Sequence, residues 1–219
     1  MLSGARSGHQ LLREQVYTYL QEQMRVGALE PGAAIKVSKL ITELGISRTP
    51  LREALLILQE QGFVVIKPQR GVVINAISLG DVKDIYEILG GIESRVFLSV
   101  FDKIGQKEIT RLEEFNKEIA HAITVNDIAR HNLANIQFHD VFLQLSENVR
   151  LLKYVGNLKM QLYDFPRRNY GKQWNEQNLD EHRKFLQLIQ NGCSLAAADY
   201  LRDVHWEFKY PDSFTIIPS

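Results

Sequence analysis

Apolar residues return every four positions near the start of the chain, at Leu12, Val16, Leu20 and Met24. This spacing puts them on one face of an amphipathic helix. Gly27 and then Pro31-Gly32 end that helix, by left-handed capping and by loss of a backbone donor. A second, shorter helix is predicted from Ser38, a good N-cap, over Lys39 to Leu44, where Gly45 breaks it. After the turn Gly45-Ile46-Ser47 a third runs from about Arg48 to Gln61. Ser47 is its natural cap, Gly62 closes it, and Leu51, Ala54, Leu55 and Leu58 form its buried stripe. The pattern then changes: Phe63-Val64-Val65-Ile66 and Val72-Val73-Ile74 are β-branched runs on either side of Lys67-Pro68-Gln69-Arg70-Gly71, which predicts a β-hairpin. Helix, helix-turn-helix and hairpin, in that order, make a winged helix-turn-helix over residues 1–76.

Residues 77–80 read as a short linker, with Ser78 and Asp81 as a capping-box start in which Asp replaces the usual Glu. From 81 to 210 nearly everything has helical spacing. Ile85, Ile88 or Leu89, and Ile92 share a face, as do Ile109, Leu112, Phe115 and Ile119. Stretches 127–146, 149–165, 178–190 and 194–208 are similar. Asn126, Asn148 and Asn178 are candidate starts, Gly192 is a candidate stop, and Pro166 should kink or end its helix. The predicted class is therefore mainly α: a winged helix-turn-helix followed by an all-α helical bundle, with a loosely ordered tail over 211–219.

Composition narrows the function classes. No uncharged apolar run approaches the ~18 residues of a membrane span, and the first residues lack a secretory pattern. A cytoplasmic protein without a membrane partner is expected. The single cysteine, Cys193, fits a reducing compartment and a role as small apolar filler. Formal net charge is zero, which at first argues against nucleic acid. The distribution matters more: residues 1–75 carry nine Lys/Arg against six Asp/Glu, and the remainder carries the opposite imbalance. The positive end coincides with the helix-turn-helix.

Arg48 and Arg52 lie one turn apart beside the buried stripe of the third helix. Basic side chains at the N-terminal end of such a helix suit the major groove, because the helix end faces phosphates and Arg bonds guanine O6/N7 at two points. Ser47 and Thr49 are short donors for phosphate or base edges. Pro50 sits where its missing N–H costs nothing. Lys67, Gln69 and Arg70 give the hairpin tip the chemistry of a wing, and Ser38 and Lys39 are placed to meet phosphate. A surface helix with two solvated arginines and a basic turn is the alternative; the neighbouring helix and hairpin favour recognition.

The stretch GALEPGAAIKVSKLITELGISRTPLREALLILQEQGFVVIKPQRGVVI resembles the DNA-binding domain of GntR-type bacterial regulators, through LEPG, LGISRTPLREAL and L-x-x-QGFV. The resemblance implies that Arg48, Thr49 and Arg52 read an operator, that Arg70-Gly71 form the wing tip, and that Ser38 takes a phosphate-contact position that is often basic in the family. It also implies homodimers on near-palindromic operator DNA.

DVKDIYEILGGIESRVF, NIQFHDVFLQLSENVRL and DEHRKFLQLIQNGCSLAAADYLRDVHWEF resemble, in order, the FCD effector domain of the FadR subfamily. Many such domains hold a divalent metal on one carboxylate or amide and three histidines, beside a pocket for a small organic acid. Asn135 and His139 are four apart on one helix face, and His182 and His205 fall on two later helices that a bundle can bring together. Imidazole nitrogen with one oxygen suits Zn²⁺, Ni²⁺ or a similar ion. Taken singly, each histidine fits a surface or core residue as well; His9, His121 and His131 are read that way. The family's usual Asp stands as Asn135 here, and its usual Arg stands as Leu89, followed by Gly90-Gly91. Glu93 and Arg167 are candidates for the effector pocket. The competing class is a metal-dependent hydrolase or lyase using the histidine cluster, with Glu93 or Glu181 as base. No H-E-x-x-H arrangement, phosphate loop or nucleophile elbow supports it, so the chain is read as a regulator rather than an enzyme.

Overall fold

The computed structural model describes residues 8–163, 168–209 and 217–218. The chain divides into two compact units, the first running to Ile77 and the second opening at Ser78. No helix among the described residues is long and apolar enough to cross a membrane.

In the first unit, α1 (Gly8–Arg25), α2 (Val37–Leu44) and α3 (Arg48–Glu60) precede a hairpin of β2 (Val64–Lys67) and β3 (Gly71–Ile74). Val16, Leu20 and Met24 of α1 are buried, as are Leu51, Ala54, Leu55 and Leu58 of α3, so the two apolar faces form one core. The Tyr17 hydroxyl donates to Gln61 Oε1 at 2.7 Å and ties the end of α3 to α1. Helix α2 starts two residues earlier than predicted: Lys36 is the N-cap and Ser38 lies within the first turn. Gly45 takes a left-handed conformation and ends it. A two-residue strand that periodicity does not show, β1 (Ala34–Ile35), pairs antiparallel with β3 and gives the order β1-β3-β2.

The second unit opens on α4 (Leu79–Val100), whose cap is the predicted Ser78–Asp81 box, with both reciprocal hydrogen bonds present. Leu79 and Gly80, expected in the linker, are therefore helical. There follow α5 (Gln106–Val125), α6 (Ile128–Leu143), α7 (Val149–Tyr163) and α8 (Lys172–Gln190), then α9 (Ser194–Tyr200), which runs on as a π-helical turn over Leu201–His205. Asn126 caps the end of α5 in a left-handed conformation and Asp127 starts α6. The Asn148 side chain accepts from Leu151 N at the start of α7. Helix α8 begins six residues before the expected Asn178, which is buried within it; Trp174 and Asn175 are buried too, so packing overrides capping preference. Pro166 lies outside the described residues, as does most of the expected tail. The tail's Ile217–Pro218 form β5, paired antiparallel with β4 (Arg168–Asn169). Cys193 is exposed and fills no core space.

Helix α4 is the spine of this unit. Val82, Ile85, Tyr86, Leu89, Val96, Phe97 and Val100 are buried along it, while Ile88 is exposed. Gly90 lets the π-helical turn approach closely: a Cβ there would lie 3.0 Å from Trp206 Cβ and 3.2 Å from the Arg202 carbonyl oxygen. At Gly91, one residue on, a Cβ would meet nothing within 4 Å. Gly90→Ala should therefore lower unfolding free energy by up to about 2 kcal/mol, because overpacking costs about 1–3 kcal/mol against a helix gain of ~1 kcal/mol. Gly91→Ala keeps that gain without the clash and should be neutral or stabilising. Urea unfolding of the two variants checks the contrast.

Candidate nucleic-acid interface and metal centre

The ten residues singled out for contact with DNA are all exposed: Ser38, Lys39, Ser47, Arg48, Thr49, Arg52, Lys67, Gln69, Arg70 and Gly71. Ser47 sits at the N-cap of α3 in extended conformation, and its hydroxyl makes no capping hydrogen bond. The first-turn amides and this hydroxyl are thus open to an external acceptor. Arg48 and Arg52 project one turn apart, with no acidic partner among the described residues. Together with Leu56, Gln59 and Ile66 they border a cleft of about 430 Å³ between α3 and the hairpin. Leu56 and Gln59 continue the exposed stripe of Arg48 and Arg52, a continuation that the spacing of charges in the sequence does not single out. Lys39 ion-pairs with Glu43 at 3.4 Å on the solvated face of α2. At the hairpin tip, Gln69 and Gly71 have φ of 58° and 91°, and Arg70 N donates to the Lys67 carbonyl at 3.1 Å. This tight turn projects Lys67, Gln69 and Arg70 into solvent.

The second site lies inside the helical unit. His139 of α6, His182 of α8 and His205 of the π-helical turn are all buried, and their ring nitrogens converge. His139 Nε2 lies 3.3 Å from His182 Nε2 and 3.1 Å from His205 Nε2. The opposite ring nitrogens fix which protons are present. His139 Nδ1 donates to Glu93 Oε2 at 2.7 Å, and His205 Nδ1 donates to Glu181 Oε2 at 3.2 Å. With Nδ1 of each ring turned to a carboxylate, the two Nε2 atoms are left facing each other. A cation shared between them reconciles that arrangement. The spacing suits one, because ligand nitrogens at about 2.0–2.1 Å from a tetrahedral Zn²⁺ lie roughly 3.3 Å apart. Burial pushes His139 down to about 4, against the opposing pull of Glu93. It also pushes His182 well below the usual histidine value. Both rings are therefore neutral at pH 7, the form that coordinates metals. The His182 ring stacks on Phe138 at 3.9 Å, and its Nδ1 has no hydrogen-bond partner.

Asn135 precedes His139 by one turn on the same face of α6. It is buried beside the Tyr163 hydroxyl, and its Oδ1 has no hydrogen-bond partner. An orphaned buried oxygen one helical turn before His139 makes, with the three convergent imidazoles, a donor set that fits a first-row divalent ion. The carboxylates stand behind the rings, where they orient them. Glu93 is fully buried, with Oε1 2.9 Å from Lys159 Nζ and Oε2 also accepting from Trp206 Nε1 at 3.1 Å. Burial alone would raise its carboxyl; Lys159 and His139 outweigh that and hold it at about 2. Glu181 pairs in turn with Lys209 at 2.5 Å. Lys159 and Trp206 carry no signal in the sequence, since a lysine in an amphipathic helix reads as solvent-facing. His131 is buried against Asn132 and His121 is exposed. The His9 side chain and Arg167 lie outside the described residues. Beside His205 a cavity of about 10 Å³, bordered by Asn178 and Glu181, has room for one water.

Comparison with known proteins places both units. The family described as bacterial regulatory proteins, gntR family, matches residues 12–74, and the FCD domain family matches residues 84–205. The chain is 27% identical to the uncharacterized HTH-type transcriptional regulator YdhC of Bacillus subtilis (strain 168), over 85% of this chain and 84% of that one. It is 26% identical to the HTH-type transcriptional repressor RspR of Escherichia coli (strain K12), over 68% of this chain and 66% of RspR. Among solved structures, a GntR transcriptional regulator from Rhodococcus sp. RHA1 superposes with a TM-score of 0.69 at 20% identity, covering 87% of this chain and 92% of that one.

Proposed function

From the premise that the chain belongs to the gntR family of bacterial regulatory proteins, carries an FCD domain and is a transcriptional regulator of that type, we propose a finer reading. It is a sequence-specific DNA-binding regulator whose hold on an operator is controlled by a small organic acid, bound beside a divalent metal in the helical unit. In this reading the protein is cytoplasmic and acts as a homodimer, each copy offering α3 to one half of a near-palindromic site. Arg48, Thr49 and Arg52 meet base edges. Ser38, Lys39 and Ser47 meet phosphates, and the wing residues Lys67, Gln69, Arg70 and Gly71 meet backbone or minor groove. Ligand binding and operator binding are then linked, so each alters the other's affinity by the same factor.

In the helical unit Asn135, His139, His182 and His205 would hold the ion, Zn²⁺ or Ni²⁺. When bound, the ion supplies a Lewis-acidic point for a carboxylate oxygen. Glu93 and Glu181 keep the His139 and His205 rings in the tautomer that presents Nε2, and Glu93 acts there rather than as a pocket wall. The observation that carries the reading is the pair of Nε2 atoms of His139 and His205 facing each other at 3.1 Å in a buried place, with His182 Nε2 3.3 Å from that of His139.

The test is retention of metal. Protein stripped with chelator, reloaded with Zn²⁺ or Ni²⁺ and desalted should keep about one ion per chain by elemental analysis, as a single four-coordinate site predicts. His139→Ala and His182→Ala should keep almost none. Equal retention by wild type and both variants would remove the metal from the reading.

A further inference from the structure

One residue on the solvent face of α3 differs in chemistry from those around it. Arg48, Thr49 and Arg52 are polar and exposed there, and Leu56, one turn beyond Arg52, is 46% exposed in the same stripe. Leu51, Ala54 and Leu58, on the opposite side of the helix, are fully buried. At about 100° per residue, Leu56 falls close to the line of Thr49, seven positions earlier, so it stands near the middle of the exposed face. The core of the first unit therefore gives no reason for a leucine at this position.

Its surroundings are apolar too. With Arg48 and Arg52, Leu56 lines the cleft between α3 and the hairpin, next to Val37, Leu55, Ile66 and Val72. A long side chain on a helix leans toward the preceding turn, which carries the Leu56 methyl groups toward Arg52. The advance from Arg52 to Leu56 is about 6 Å at ~1.5 Å per residue. That is just under two base-pair steps of ~3.4 Å. In the major groove only thymine offers an apolar group on its base edge, the C5 methyl.

We propose that Leu56 is a further specificity-determining residue, which reads the C5 methyl of a thymine about two base pairs from the base met by Arg52. This assignment rests on α3 being the reading helix. Hydrogen bonds from the two arginines select guanine, and Leu56 adds a selection that no hydrogen bond supplies. Contact takes its own methyl groups and that of the thymine out of water together. A pyrimidine without the methyl forfeits that burial.

The experiment selects a preferred duplex from a random library with the full-length protein, then replaces each thymine singly by deoxyuridine. That replacement removes the methyl and leaves every hydrogen-bonding group in place. Fluorescence anisotropy reads the affinities. At one thymine position wild type should lose about three- to fivefold, the worth of roughly one buried methyl-sized group. Leu56→Ala should be nearly indifferent to that replacement while responding like wild type at the other thymines. A fresh selection with Leu56→Gln should no longer enrich thymine at that position. A damaged fold would weaken every duplex alike, so the position-specific readout isolates the contact. Equal responses of wild type and Leu56→Ala at every thymine, or no loss by wild type at any, would overturn the role of Leu56. With sequence preference still lost in Arg48→Ala/Arg52→Ala, α3 would then stand as the reading helix without it. An unchanged preference in that double variant would remove α3 as the reading helix, and the role of Leu56 with it.

Discussion

Lys159→Ala will lower the unfolding free energy of the metal-free protein by about 3–5 kcal/mol, the usual cost of removing one partner of a buried ion pair. Lys159 is 2% exposed and Glu93 fully buried, so no water replaces the lost ammonium. Glu93 is left as a charge in a low-dielectric interior, with only His139 Nδ1–H and Trp206 Nε1–H to stabilise it. That loss is a large part of the roughly 5–15 kcal/mol that holds a domain together. The double variant Lys159→Met/Glu93→Gln should recover most of it. A buried pair replaced by neutral groups of similar volume is often no less stable, and the Gln carbonyl still accepts from His139 and Trp206. Urea unfolding in the presence of chelator reads both. If Lys159→Ala unfolded within about 1 kcal/mol of wild type, a typical mutational effect, the buried pair would have no special place in the stability of the helical unit.

The Arg48→Ala/Arg52→Ala variant will lose roughly 1–3 kcal/mol of operator affinity per arginine and half-site, because each guanidinium can bond a guanine at two points. The loss should fall on preferred duplexes and spare random ones, so discrimination collapses toward non-specific binding. Lys67→Ala at the wing should instead weaken all duplexes alike and reduce the salt slope by about one. Both arginines and the lysine are exposed. Surface substitutions of this kind shift stability by only about 0.5 kcal/mol, so a circular dichroism melt close to wild type separates lost contact from lost fold. Fluorescence anisotropy against a duplex selected from a random library, at two salt concentrations, makes the measurement. Retained affinity and retained sequence preference in the double arginine variant would sink the assignment of α3 as the reading helix.

The histidines show where sequence reasoning gains and loses its hold. Asn135 and His139 can be paired in advance because a single helix fixes a four-residue spacing. His182 and His205 can only be nominated. What seats His205 against His139 is a π-helical turn after Tyr200, docked on α4 where Gly90 leaves room. One extra residue in a helical turn rotates every later side chain, and no periodicity in the sequence announces it. Lys159 is hidden for a related reason. Its burial depends on the position of Glu93, sixty-six residues earlier in the chain, and hydropathy assigns lysine to water.

The order of residues was enough to set the helix-turn-helix and its basic face, the hairpin, the Ser78–Asp81 cap and the helical character of the second unit. Each of these arises from interactions within about a dozen neighbouring residues, and local backbone preference and apolar period are both legible at that range. Long-range packing settled the two-residue strand β1, the early start of α8 and the convergence of three imidazoles. It also settled the matching of two buried carboxylates with two lysines. Those depend on which distant faces meet, where the energy of burying a charge is set by partners that chain order does not reveal.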